Sequence, residues 1–126
     1  MKIVPLVLCA ALFAVPAAAQ EQPAFTLEHR MLLRCSAAFA IVAGDQQRGV
    51  ATALAYPPLA ERGREYFVRA SVRLMDDLKL TREQVETSLR AEVAGLQKSA
   101  GEVAEPAAYL DSVMRPCLSA LEASKL

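Results

Sequence analysis

Residues 58–78 read PLAERGREYFVRASVRLMDDL, and their apolar spacing is helical throughout. On a wheel of about 100° per residue, Leu59, Gly63, Phe67, Ala70, Leu74 and Leu78 fall on one face. Arg62, Arg69 and Arg73 cluster on a second face, beside Tyr66. Val68, Val72 and Met75 form a third, apolar row off the main stripe. A helix with two apolar rows is either central, packed by neighbours on two sides, or turns one row toward a partner. The second reading makes Val68, Val72, Met75, Arg62, Arg69 and Arg73 the candidate partner face.

Downstream, Thr81 and Gln84 have the spacing of a capping box, and Leu80 and Val85 that of a hydrophobic staple, so a helix starts there. Val85, Leu89, Val93 and Leu96 continue it as a stripe, and Gly101 is its expected stop. A last helix is predicted from Pro106, burying Leu110, Val113 or Met114, Cys117 and Leu121. Pro116 lies inside that pattern and leaves the carbonyl of Ser112 without its helical donor, which predicts a kink.

Upstream, Tyr56-Pro57-Pro58 interrupts the chain, and Pro58 is a permitted first helical residue. A shorter helix is predicted over 46–55, with Gly44 ending the helix before it and Asp45 capping the new one. That first helix begins near Thr26 and buries Leu32, Cys35, Phe39 and Val42, with Met31 and Ala38 beside the stripe. No segment alternates with period two for long enough to argue a strand. The expectation is an all-α bundle of about five helices over residues 26–126.

Residues 1–19 have the form of an export signal: basic Lys2, an apolar run over 3–15, then Pro16-Ala17-Ala18-Ala19, with cleavage expected between Ala19 and Gln20. The run is too short to span a bilayer stably. Cys9 follows Leu8 and only six apolar residues, so it belongs to the signal rather than to a lipid anchor. A periplasmic or secreted chain follows, led by a short flexible segment over 20–25. The processed chain would have 107 residues and a net charge of −1, from 13 basic and 14 acidic residues. Its two cysteines, Cys35 and Cys117, sit on the apolar stripes of the first and last helices. In an oxidising compartment they are expected to form one disulfide pinning the two ends of the bundle.

Composition and motifs exclude several chemistries. Net charge is zero over the 126 residues, and no Gly-rich phosphate loop or interleaved aromatic–basic stretch is present, so nucleic acid and nucleotides are not expected partners. Cys35 and Cys117 lack the C-x-x-C redox spacing. No metal, cofactor or catalytic set is expected. His29, the single histidine, lies one turn or more from Cys35, with Glu28 projecting about 100° away on the same helix, and is expected at the surface near a helix start. Residues 47–75 carry +3 and residues 76–126 carry −3, so a basic face balanced by an acidic half is expected. Glu65, four residues before Arg69, is placed for an exposed pair. The partner, if any, and the oligomeric state stay open.

Two resemblances enter here. The block Ala55-Tyr56-Pro57-Pro58-Leu59-Ala60-Glu61-Arg62-Gly63-Arg64-Glu65-Tyr66-Phe67, with one cysteine in the first helix and one near the end, resembles a group of small exported alphaproteobacterial proteins of no assigned function. Separately, Leu80-Thr81-Arg82-Glu83-Gln84 is similar to the L-T-x-x-Q motif of the Spy/CpxP family of periplasmic helical chaperones and stress regulators. That family carries two copies, and Phe25-Thr26-Leu27-Glu28-His29 is the other candidate, differing at both ends. The first resemblance implies no activity; the second implies a stress chaperone. The residues alone favour an exported protein working by contact with other proteins.

Overall fold

A computed structural model describes residues 24–125. The export signal, Cys9, the cleavage position and most of the expected lead lie outside them. The described chain is all-α: α1 (Leu27–Gln47), α2 (Ala51–Leu54), α3 (Arg62–Leu78), α4 (Arg82–Glu102) and α5 (Pro106–Ala123).

The central helix is α1, which packs against each of the other four. Five consecutive residues, Cys35 to Phe39, are buried, so α1 is covered all round over more than a turn. Small Ser36, Ala37 and Ala38 permit that approach from several sides. The main core gathers Phe39, Val42, Leu59, Met114 and Leu121 around the disulfide, and a second cluster of Leu33, Leu74, Leu78 and Val85 closes the α1–α3–α4 corner. Phe25, expected in the flexible lead, packs onto that second cluster. Cys35 and Cys117 are bonded, with Cα atoms 5.1 Å apart, joining α1 to α5 as expected. Val113 and Met114 are both buried, and α5 continues through Pro116 as one helix.

Two helix boundaries differ from the sequence reading. Gly44 does not stop α1, which runs on to Gln47 and ends at Gly49, whose φ is 73°. There the Gly49 N–H donates to the Gln46 carbonyl (3.1 Å) and the Val50 N–H to the Asp45 carbonyl (3.0 Å). This is a Schellman closure, and it consumes the residues assigned to the next helix. What remains of that helix is one turn, α2.

Similarly, α3 begins at Arg62 instead of Pro58, because Gln46 holds the preceding segment out of helix. Its Nε2 donates to the carbonyls of Ala53 (3.1 Å), Tyr56 (3.2 Å) and Pro57 (2.9 Å), and its Oε1 accepts from the Leu59 N–H (3.1 Å). So tethered, Leu59 is buried beside Phe39 and Gly63. A Cβ on Gly63 would stand 3.0 Å from the Phe39 Cβ, so glycine allows α3 to approach α1 closely. By contrast, α4 starts as read: the Gln84 N–H donates to Thr81 Oγ1 (3.2 Å) and the Thr81 N–H to Gln84 Oε1 (2.8 Å). Gly101 falls one residue inside its end.

Candidate protein-contact face on α3

On α3, the residues read as the main stripe face inward: Gly63, Ala70, Leu74 and Leu78 are buried and Phe67 is half-buried. Tyr66, placed among the arginines by its spacing, is also buried, its ring edge-on to Phe39 at 5.2 Å between centroids. The second apolar row is not covered. Val68 and Val72, one turn apart, are 56% and 50% exposed, and Met75 is half-buried. Of the two readings of this helix the central one fails: α1 takes that position, and Val68 and Val72 stay exposed although Phe67, Met75 and Leu78 pack with Val85 and Leu89 of α4. The exposed row borders a groove of about 150 Å³ between α3 and α4, completed by Ser71, Val85 and, on α4, Arg82 and Glu86.

The arginines proposed with this row lie elsewhere and are engaged. Arg62 pairs with Glu122 of α5 (2.6 Å) and Arg69 donates to the Ser124 carbonyl (3.3 Å). Arg73 pairs with Asp77 and reaches Glu28 of α1 (3.5 Å). They stitch α3 to its neighbours. Arg69 makes no pair with Glu65, contrary to the helical-spacing expectation, because the carbonyl at the end of α5 takes its guanidinium. Among the described residues Arg64, Glu65, Arg82 and Glu86, which border the valine row, form no ion pair, and neither do Asp76 and Lys79 at the end of α3.

His29 is a second correction. It is 6% exposed, at the third position of α1. Its Nδ1 accepts from the Thr26 N–H (3.2 Å), while Thr26 Oγ1 accepts from the His29 N–H (3.3 Å), a capping box in which histidine takes the place of glutamine. With Nδ1 occupied as an acceptor, the proton of the neutral ring sits on Nε2 and is donated to Asp77 Oδ2 at 3.0 Å. The Asp77 carboxyl is held below its ordinary range by that bond first and by Arg73 second, and Arg73 is in turn held more firmly charged by Asp77. The Thr26 hydroxyl oxygen accepts in the cap, and the His29–Asp77–Arg73 cluster joins the start of α1 to the end of α3. Among the described residues no three potential metal ligands converge.

Sequence reasoning missed a larger cleft, about 670 Å³, between α1, α4 and the start of α5. It is lined by Ile41, Leu96 and Leu110 with Asp45, Arg48 and Tyr109; the small residues that open it, Ala40 and Gly44, have no periodic signal. Its two charges, Asp45 and Arg48, satisfy each other. The α3 row, with exposed valines and unpaired charges, is the stronger candidate. No described helix is long and apolar enough to cross a membrane. Comparison with protein-family models, with curated proteins and with solved structures found nothing that matches this chain.

Proposed function

We propose that this chain is an exported, non-enzymatic protein of the periplasm or secreted fraction, which works by holding another polypeptide against the Val68–Val72–Met75 row. The observation that carries the reading is the exposure of two β-branched apolar side chains one turn apart on a well-packed helix. Single exposed apolar residues, such as Leu27 or Val103 here, are ordinary, whereas neighbours beside a groove mark a contact site. The disulfide is compatible with export. A photo-crosslinker placed at Val72 in the exported protein should give polypeptide adducts, while one at exposed Ala94 on α4 should not. Adducts at neither position would overturn the reading.

A second reading, a periplasmic stress chaperone of the L-T-x-x-Q kind, is favoured by one feature. The starts of α1 and α4, Thr26–His29 and Thr81–Gln84, are built as the same reciprocal cap although their sequences differ. On this reading the oxidised protein suppresses aggregation of a denatured model client at near-stoichiometric ratio. No suppression at neutral or acidic pH would remove it.

A further inference from the structure

Both ring nitrogens of the buried His29 are in use, and each depends on the ring's charge in its own way. Nδ1 can accept the Thr26 N–H only while it carries no proton, whereas Nε2 donates to Asp77. Imidazole changes charge between about pH 5 and 8, and once protonated it has two donors and no acceptor. The two hydrogen bonds then respond in opposite directions. The bond to the Asp77 carboxylate becomes charge-assisted and strengthens. The contact with Thr26 sets one N–H against another, which is no longer a hydrogen bond. The positive end of the α1 dipole lies there too, so the charged ring is repelled from the helix start that the neutral ring caps.

The charges around the ring favour the same division. From α3 come Asp77 and, behind it, Arg73; from α1 comes Glu28, which Arg73 also reaches. Lys79, at the end of α3, is turned to the Asp76 carbonyl (2.8 Å). The segment before α1 presents the Phe25 ring, edge-on at 6.2 Å between centroids. Among the described residues α4 makes no hydrogen bond or ion pair to His29, and its Glu83 lies beside Phe25. The Asp77 carboxyl is held below its ordinary range, so it keeps its charge where imidazole titrates. The protonated ring stays on α3 and gives up Thr26.

We infer that His29 is a pH-operated latch on residues 24–26: the neutral ring holds the Thr26 amide and keeps Phe25 seated, and the protonated ring releases both. Among the described residues Ala24 and Phe25 make no hydrogen bond, so the Thr26 N–H is the anchor of this segment. What the latch covers is apolar. Phe25 is half-buried on the cluster of Leu33, Leu74, Leu78 and Val85, and it borders a recess with Leu80, Glu83 and Thr87 at the start of α4. Without the amide bond, Phe25 is held by packing alone, and its departure bares Leu80 and the edge of that cluster.

The start of α4 supplies a control within the same molecule. There the Thr81 N–H donates to Gln84 Oε1 (2.8 Å) in the same reciprocal cap, and a side-chain amide does not titrate. Amide hydrogen exchange on the oxidised protein tests the latch. From about pH 7.5 to about pH 5 the protection factor of the Thr26 amide should fall roughly tenfold, the loss of one hydrogen bond, while that of Thr81 stays constant. His29→Gln builds at Thr26 the cap that Thr81 has, and should abolish the step. Phe25→Trp places a fluorophore on the seat, and its emission should move to the red over the same range, but not when combined with His29→Gln. Far-UV circular dichroism should stay constant throughout, because the helices remain formed. Thr26 protection that does not change, that changes together with Thr81, or that still steps in His29→Gln overturns the inference. So does a Thr26 step without a shift of the Trp emission, since the seat then stays covered, or a loss of helix over that range.

Discussion

His29 Nε2 and Asp77 Oδ2, 3.0 Å apart and 48 residues apart in sequence, tie the first turn of α1 to the last turn of α3. The same ring accepts the Thr26 N–H, so one side chain both caps a helix and crosslinks two. His29→Gln preserves a reciprocal cap of the kind Gln84 makes but gives up the reach to Asp77, whereas His29→Ala loses both. In urea unfolding, His29→Ala should cost about 1–2 kcal/mol, the sum of a lost cap and a partly emptied site. His29→Gln should recover part of that loss. Equal stability of the two variants would show that the cap contributes nothing.

Acid should act on the other half of this pair. The Asp77 carboxyl is held below its ordinary value by the His29 hydrogen bond first and by Arg73 second. Its folded form therefore binds a proton less readily than its unfolded form, whose pKa is about 4. The resulting stabilisation is fully present above that value and disappears as pH falls through the lower, folded-state value. The melting-temperature gap between the wild type and Asp77→Asn should thus be widest above about pH 5 and close progressively below about pH 4. A gap that is constant from pH 7 to pH 3 would contradict this account.

Gln46 organises the passage from α1 to α3 through four hydrogen bonds to backbone groups of residues 53–59. Gln46→Ala leaves the Leu59 N–H and the Tyr56 carbonyl to find other partners in a part-buried site, while the Ala53 carbonyl keeps the Tyr56 N–H. The expected loss is about 2–3 kcal/mol. Gln46→Glu keeps the acceptor for Leu59 but removes the donor to three carbonyls, so it should also be destabilising. Hydrogen exchange gives the more specific readout: the Leu59 amide should be protected in the wild type and exchange faster in Gln46→Ala, while the Gln84 amide is unchanged.

These residues also show where the sequence was readable. The start of α4 could be read because Thr81, Gln84, Leu80 and Val85 act on one another within a single turn. The buried stripes of α1, α4 and α5 were visible in their periodicity, and both cysteines sat on them, so the disulfide followed. The start of α3 was not visible, because a side chain 13 residues upstream takes the Leu59 N–H. The end of α1 offered two glycines at permissible places, and an interior helical glycine costs only about 1 kcal/mol, so Gly44 was a weak stop signal. His29 looked exposed because its partner lies on another helix. The row Val68, Val72 and Met75 was apparent on the helical wheel; whether it was covered depended on where α4 would lie, which no local pattern specifies.

The disulfide allows a direct comparison of covalent and packing contributions. Cys35 and Cys117 are separated by 82 positions, so their bond closes a loop comprising most of the described chain. On the chain-entropy account, such a loop stabilises the folded state by about 4–5 kcal/mol at 25 °C. A domain of this size has a total stability of roughly 5–15 kcal/mol, so reduction should remove a large share without necessarily abolishing the fold. Both sulfurs are fully buried among Phe39, Met114 and Leu121, so Cys35→Ala with Cys117→Ala should lose slightly more than reduction alone, by the packing of two sulfur atoms. In urea, the midpoint of the reduced protein should fall by roughly 2–4 M. A midpoint unmoved by reduction would mean that the α1-centred core alone sets the stability, and that the bond from α1 to α5 leaves the unfolded ensemble no more constrained than before.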